Sequence, residues 1–167
     1  MEVELVHLNP LLLGGLSFYG DPISTKSGWD SENEIGKTWS RFMDFLAAHP
    51  QRSYSSNRSN MYEIHIYGRE TDTKGYFEVF VGEEVSMAQL PVELSSKFIP
   101  ESDYIKITLF GNEITSDWWL TLDSDIIPAK RVKRNSSYII QAYDERFKGM
   151  DNIENSLLDV YIPVEAI

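Results

Sequence analysis

Cysteine is absent from the 167 residues. That excludes a disulfide framework and any thiolate metal site, and it fits a reducing compartment. Long apolar stretches are missing as well. Runs such as Leu11 to Leu13 fall far short of the roughly 20 residues that span a bilayer. The acidic start, Met-Glu-Val-Glu-Leu, has no basic region and no small-residue cleavage site, so no signal peptide is read there and a cytoplasmic protein is expected. Basic residues are outnumbered, 15 against 26 acidic ones, giving a formal net charge of −11. A surface of that sign repels duplex nucleic acid and anionic membranes, so neither is expected as a direct partner, whereas cationic partners are favoured. The one basic cluster, Lys130, Arg131, Lys133 and Arg134, reads as a solvated loop. His7, His49 and His65 lack short ligand spacing, and no metal is expected. No phosphate-cradling glycine loop, dinucleotide fingerprint or Gly-x-Ser-x-Gly is present, so no cofactor is expected either.

What is there is a repeat. Val3 to Tyr19 reads as a strand interrupted at Asn9-Pro10 and Gly14-Gly15, followed by a loop rich in Gly, Pro, Ser and Asp. Residues 31–48 read as a helix, with Ser31 as cap and Ile35, Trp39, Phe42, Met43 and Leu46 at helical spacing. Strands at Met61 to Tyr67 and Tyr76 to Val85 follow, joined by a polar turn around Asp72 to Gly75. The second half runs in the same order. An interrupted strand at Val92 to Phe110 breaks at Pro100, a helix is expected over Asn112 to Asp125, and strands at Tyr138 to Tyr143 and Leu157 to Val164 close the set.

The third elements match most closely: Tyr62-Glu63-Ile64-His65-Ile66-Tyr67 stands against Tyr138-Ile139-Ile140-Gln141-Ala142-Tyr143. The fourth elements, Phe77-Glu78-Val79-Phe80-Val81 and Leu158-Asp159-Val160-Tyr161-Ile162, share an apolar-acidic-Val-aromatic-branched pattern. Self-similarity in fixed order points to duplicated β-α-β-β units with pseudo-twofold symmetry: an α+β fold, an antiparallel sheet with helices on one face, and a groove between the halves. One domain over residues 1–167 is expected, its halves at about 1–87 and 88–167.

Strand side chains alternate between faces. Tyr62, Ile64 and Ile66, with Tyr138, Ile140 and Ala142, form an apolar face expected under the helices. The other face carries Glu63, His65, Tyr67, Gln141 and Tyr143. Glu78 and Phe80 from the fourth element of the first half, and Asp159 and Tyr161 from that of the second, are expected to join it. Aromatic walls with a few polar groups describe a small-molecule pocket, so Tyr67, Glu78, Phe80, Gln141, Tyr143 and Tyr161 are expected to line a common groove.

Several segments resemble the GyrI-like effector-binding family, which is also the ligand domain of some AraC- and MerR-type transcription regulators. They are Ile35 with Trp39, Gly75-Tyr76-Phe77 leading to Val81-Gly82, Ile99-Pro100 with Tyr104, and Tyr143-Asp144-Glu145-Arg146-Phe147 leading to Asp159-Val160-Tyr161-Ile162-Pro163. The resemblance implies an aromatic groove between the halves that takes lipophilic cations, with a buried Glu as counter-charge. It adds Trp39, Tyr104 and Trp118 (or Trp119) to the candidate ligand-binding residues, beside His65, Tyr67, Glu78, Phe80, Gln141, Tyr143 and Tyr161. Two departures stand out. The counter-charge position holds Gln141, so that Gln141→Glu is expected to strengthen cation binding unless Glu63, Glu78 or Asp159 substitutes. The family's Trp-Leu-Pro is replaced by Ile126-Ile127-Pro128. The reading is a free-standing ligand sensor or sequestering protein without its own DNA-binding domain, which needs a protein partner only if it regulates transcription. Alternatives are a hydrolase of electrophilic small molecules, using Glu78 with Tyr104 and Tyr143, and a protein-interaction module.

Overall fold

The computed structural model describes residues 1–25, 28–87 and 89–167. The boundary expected between the halves falls on Ala88, outside the described residues. Nine strands, β1 Glu2–Leu8, β2 Leu11–Gly20, β3 Ser55–Tyr67, β4 Phe77–Val85, β5 Ser95–Ile99, β6 Ser102–Phe110, β7 Val132–Arg134, β8 Tyr138–Tyr143 and β9 Leu157–Ala166, form one antiparallel sheet among these residues. Its order is β1-β6-β9-β8-β3-β4-β2-β5, with β7 added to the end of β9. Read from either end, the order visits corresponding strands of the two halves, which is the symmetry the repeat implies.

The two interrupted strands explain how this order closes. β1 pairs with β6 with Leu8 opposite Ser102, and β2 pairs with β5 with Leu11 opposite Ile99. Both ladders lie in one register, which sets Pro10 against Pro100. Neither proline has an N–H to give, so the ladder lapses there and resumes beyond. The residue pairs Asn9-Pro10 and Pro100-Glu101 therefore join opposite ends of the strand order, and the sheet curls into a ring. β2 returns to β4 with Gly15 opposite Gly82. A Cβ on Gly15 would sit 2.0 Å from the Val81 carbonyl oxygen, so both expected break-glycines lie within a continuous strand where the wall bends tightly. On the far side Ile64 pairs with Ile140, its own equivalent in the repeat.

The interior of a small closed sheet is filled by side chains. Here Leu13, Ile64, Phe80, Tyr104 and Ile140 are at most 1% exposed and pack with Tyr62 and Ile99. This corrects one expectation: the apolar face of Tyr62, Ile64, Ile66, Tyr138, Ile140 and Ala142 lies inside the curl, and the helices cover the opposite, outer face. Curling gives that face a home that alternation alone does not reveal.

Helix α1, Glu34–Ala48, is capped by Asn33, whose side chain accepts from the Gly36 N–H at 3.0 Å, rather than by Ser31. Phe42 and Leu46 bury one side of it on Val79 and Val81 of β4. The expected polar turn at 72–75 is a short helix, α2 Arg69–Lys74, ended by Gly75 at φ 72°. The second long helix starts later than expected and runs over 119–130 (α3). Its middle, Leu122–Ile126, is a π segment. Pro128 follows; it cannot donate to the preceding turn and crowds its carbonyl, which favours the wider winding. Leu122 and Ile114 pack on Ile105, Ile107, Leu109 and Val160, on the same outer face as α1. The basic segment is partly ordered as β7, with Lys133 paired to Glu165 and Arg134 to Asp123.

Candidate functional site

Between α1 and α3 the outer face of β3 and β8 is left open, and a cleft of about 1420 Å³ lies over it. Its floor is the central strand pair, where Glu63 stands opposite Gln141 and His65 opposite Ile139. Trp39 and Met43 from α1 line one wall, and Trp118, Trp119 and Leu122 line the other. Trp29 and Phe147 close one end.

The floor carries one deeply buried carboxylate. Glu63 is 4% exposed. Its Oε2 accepts from Trp39 Nε1 at 2.5 Å, and the Tyr143 hydroxyl lies 3.5 Å away. Its Oε1 accepts from His65 Nε2 at 2.6 Å. Tyr143 donates its proton to Gln141 Oε1 at 2.8 Å. Burial, together with the neighbouring Glu63 charge, holds the Tyr143 hydroxyl protonated far above the ordinary tyrosine range. Burial also pushes Tyr67 up to about 12, against the pull of Arg134. Aromatic edges and faces surround the carboxylate. Trp39 meets Tyr143 edge-on at 5.0 Å, Tyr143 meets Phe147 at 4.9 Å, and Tyr67 leans on Phe77 at 5.3 Å. Asp30, Asp117, Asp123, Asp144 and Glu145 also border the cleft, with Asp123 paired to Arg134 and Asp144 to Arg146.

Of the residues named from sequence, Trp39, His65, Tyr67, Trp118, Gln141 and Tyr143 border this cleft. Glu78, Phe80, Tyr104 and Tyr161 do not. In an antiparallel ladder directly opposed residues share a face, and β3 meets β4 with Ile64 opposite Phe80 and Ile66 opposite Glu78. Both therefore point into the ring. Phe80 is core. Glu78 pairs with Lys97 at 2.7 Å, and Tyr104 is fully buried with its hydroxyl 2.9 Å from that of Tyr138. Tyr161 lies edge-on to Tyr104 and borders a small cavity of about 190 Å³ on that inner side. The hydrolytic trio of Glu78, Tyr104 and Tyr143 is thus split between two faces of the sheet. Asp159 also points inward, held by Arg146 at 2.6 Å and Thr108 at 2.6 Å.

Glu63, the most deeply buried carboxylate of the cleft, enters the sequence reading only as a stand-in for Gln141. Its alternation with His65 and Tyr67 was the available signal. Trp29 sits in an irregular segment, and Phe147 follows β8 in another, so no periodicity marks either. Among the described residues no cluster of His, Asp and Glu could hold a metal ion, and no helix is long and apolar enough to cross a membrane.

The family model for the GyrI-like small molecule binding domain matches residues 1–165. The chain belongs to that family. No curated protein matches it by sequence. Among solved structures, SAV2435 bound to tetraphenylphosphonium is similar at 14% identity and TM-score 0.69, over 99% of this chain and 94% of that one. EcmrR in its DNA complex is similar at 11% identity and TM-score 0.69, over 99% of this chain and 58% of that one. A hydrolase from Listeria innocua is similar at 10% identity and TM-score 0.57, over 98% and 92%. At these identities the likeness concerns the fold, and this GyrI-like chain shares its curled antiparallel sheet with proteins of differing roles.

Proposed function

We propose that the chain binds a lipophilic cation in the cleft, with Glu63 as its counter-charge, and serves as a ligand sensor or sequestering protein. The observation that carries this reading is the buried Glu63 carboxylate on an aromatic floor. A buried charge costs several kcal/mol unless compensated. Trp39 and His65 offset part of that cost through hydrogen bonds, and a ligand cation would supply the missing opposite charge. Aromatic faces attract cations through their quadrupoles and at the same time shed water from an apolar ligand. The counter-charge that the resemblance assigns to β8 is thereby carried on β3, directly across the ladder from Gln141. The tetraphenylphosphonium held by SAV2435 fits this chemistry and suggests the probe.

Trp29, Trp39, Trp118 and Trp119 all border the cleft, so intrinsic fluorescence reports occupancy. Titration with tetraphenylphosphonium should give saturable quenching, tighter than with neutral triphenylphosphine oxide. Equal affinity for the two, or no quenching by either, would contradict the reading.

A further inference from the structure

We propose that His65 makes cation binding in the cleft compete with proton uptake, so that the proton decides whether the cleft floor is anionic or neutral. The inference rests on the cation-binding reading above and adds a regulator to it.

The geometry is specific to this residue. His65 Nε2 lies 2.6 Å from Glu63 Oε1, and the side chain is 12% exposed. Facing an ionised Glu63, which only accepts, Nε2 carries the hydrogen, and a neutral ring leaves Nδ1 open to a further proton. Proton uptake at Nδ1 sets an imidazolium against Glu63. The floor then has no net charge, and an arriving cation meets a like charge beside the carboxylate it needs.

Few other groups compete for this role. The cross-strand neighbours of His65 are Val79 of β4 and Ile139 of β8, neither titratable. From α1 comes the Trp39 indole, which is bonded to the same carboxylate. The Tyr67 hydroxyl lies 3.5 Å from Nδ1, and β8 also presents Tyr143 and Gln141. Tyr67 and Tyr143 stay neutral through the acidic and neutral range, since burial raises both. Arg134 with its partner Asp123, Asp144 with its partner Arg146, and Asp30, Asp117 and Glu145 lie around the cleft and set a background that His65 modulates. Because coupling between two bound species is reciprocal, a bound cation must also disfavour the proton on His65.

The test titrates tetraphenylphosphonium and triphenylphosphine oxide into the protein from pH 8 to pH 5.5, where histidines ordinarily change charge. The phosphonium is expected to lose about tenfold in affinity or more on acidification, while the phosphine oxide changes little. His65→Gln still offers an N–H to Glu63 and cannot change charge, so its phosphonium affinity should be flat across this range. Imidazole nitrogen NMR of the wild type at one mildly acidic pH gives a reading that needs no variant: saturating phosphonium should move the His65 signals towards the neutral form. A flat wild-type profile, an undiminished slope in His65→Gln, or His65 signals that phosphonium leaves unmoved overturns the inference. Absence of phosphonium binding at every pH overturns the cleft reading itself, and this inference with it.

Discussion

Replacing Gln141 by Glu would set two carboxyl groups directly opposite each other on β3 and β8, since Glu63 is its cross-strand partner. On sequence alone that change restores a missing counter-charge and strengthens cation binding. The structure reverses the expectation. Side chains directly opposed on a ladder have Cβ atoms roughly 5 Å apart, and two like charges at that separation repel by about 3 kcal/mol at an effective dielectric near 20. Burial adds to the cost of the second charge. At neutral pH the pair therefore keeps one negative charge and one proton, as carboxyl pairs sharing a site do. Gln141→Glu alone should leave phosphonium affinity within about threefold of wild type at pH 7, with any gain appearing only at higher pH. Glu63→Gln removes the charge and should cost about 1.5–3 kcal/mol, or roughly ten- to a hundredfold. The double exchange moves the carboxylate across the ladder, where Tyr143 can donate to it, and should recover most of that loss. Tryptophan fluorescence titrations of the four proteins, with thermal melts as folding controls, read all three effects. A tenfold or greater gain from Gln141→Glu alone at pH 7 would refute the reasoning, as would no loss in Glu63→Gln.

Other consequences separate the inside of the ring from the cleft. Phe80→Ala should destabilise the fold by about 3–5 kcal/mol in urea melts, because it empties a fully buried aromatic position. Glu78→Gln should change phosphonium affinity less than about twofold in the fluorescence titration, since its carboxylate is paired with Lys97 on the other side of the sheet from the cleft. At high pH the buried Tyr104 and Tyr143 hydroxyls keep their protons in the folded chain, while the unfolded chain releases them near pH 10. The unfolded state then binds fewer protons, so stability should fall as pH rises beyond about 10. Urea melts at pH 9 to 11 should show a shallower fall for Tyr104→Phe.

Much of this was legible in the sequence, and what was missed has a common cause. The match between Tyr62–Tyr67 and Tyr138–Tyr143 gave the strand pair at the symmetry axis, and alternation put Glu63, His65 and Tyr67 on one face. Alternation does not say which face of a neighbouring strand joins it. The β3–β4 register, Ile64 opposite Phe80, decided that, and a slip of one residue exchanges every side chain between faces. Glu78 and Phe80 are expected in the groove for want of it, and Tyr161 for want of the β8–β9 register, which sets it opposite Ile140. The prolines at 10 and 100 were visible as breaks, yet their meaning as facing positions in one closed ladder needed the pairing partners. The cleft followed the same logic. A ring hides the apolar face inside, so the mixed aromatic face turns outward and only the gap between two helices makes it concave.

Cation binding at Glu63 requires the ligand to sit in the cleft. A crystal structure of the chain with tetraphenylphosphonium tests it directly. The phosphonium is expected on the outer face of β3 and β8, its rings among Trp39, Tyr143 and Phe147 and its charge facing Glu63. Density for the phosphonium inside the ring, beside Tyr161 and Tyr62, or on a surface away from Glu63, would contradict it.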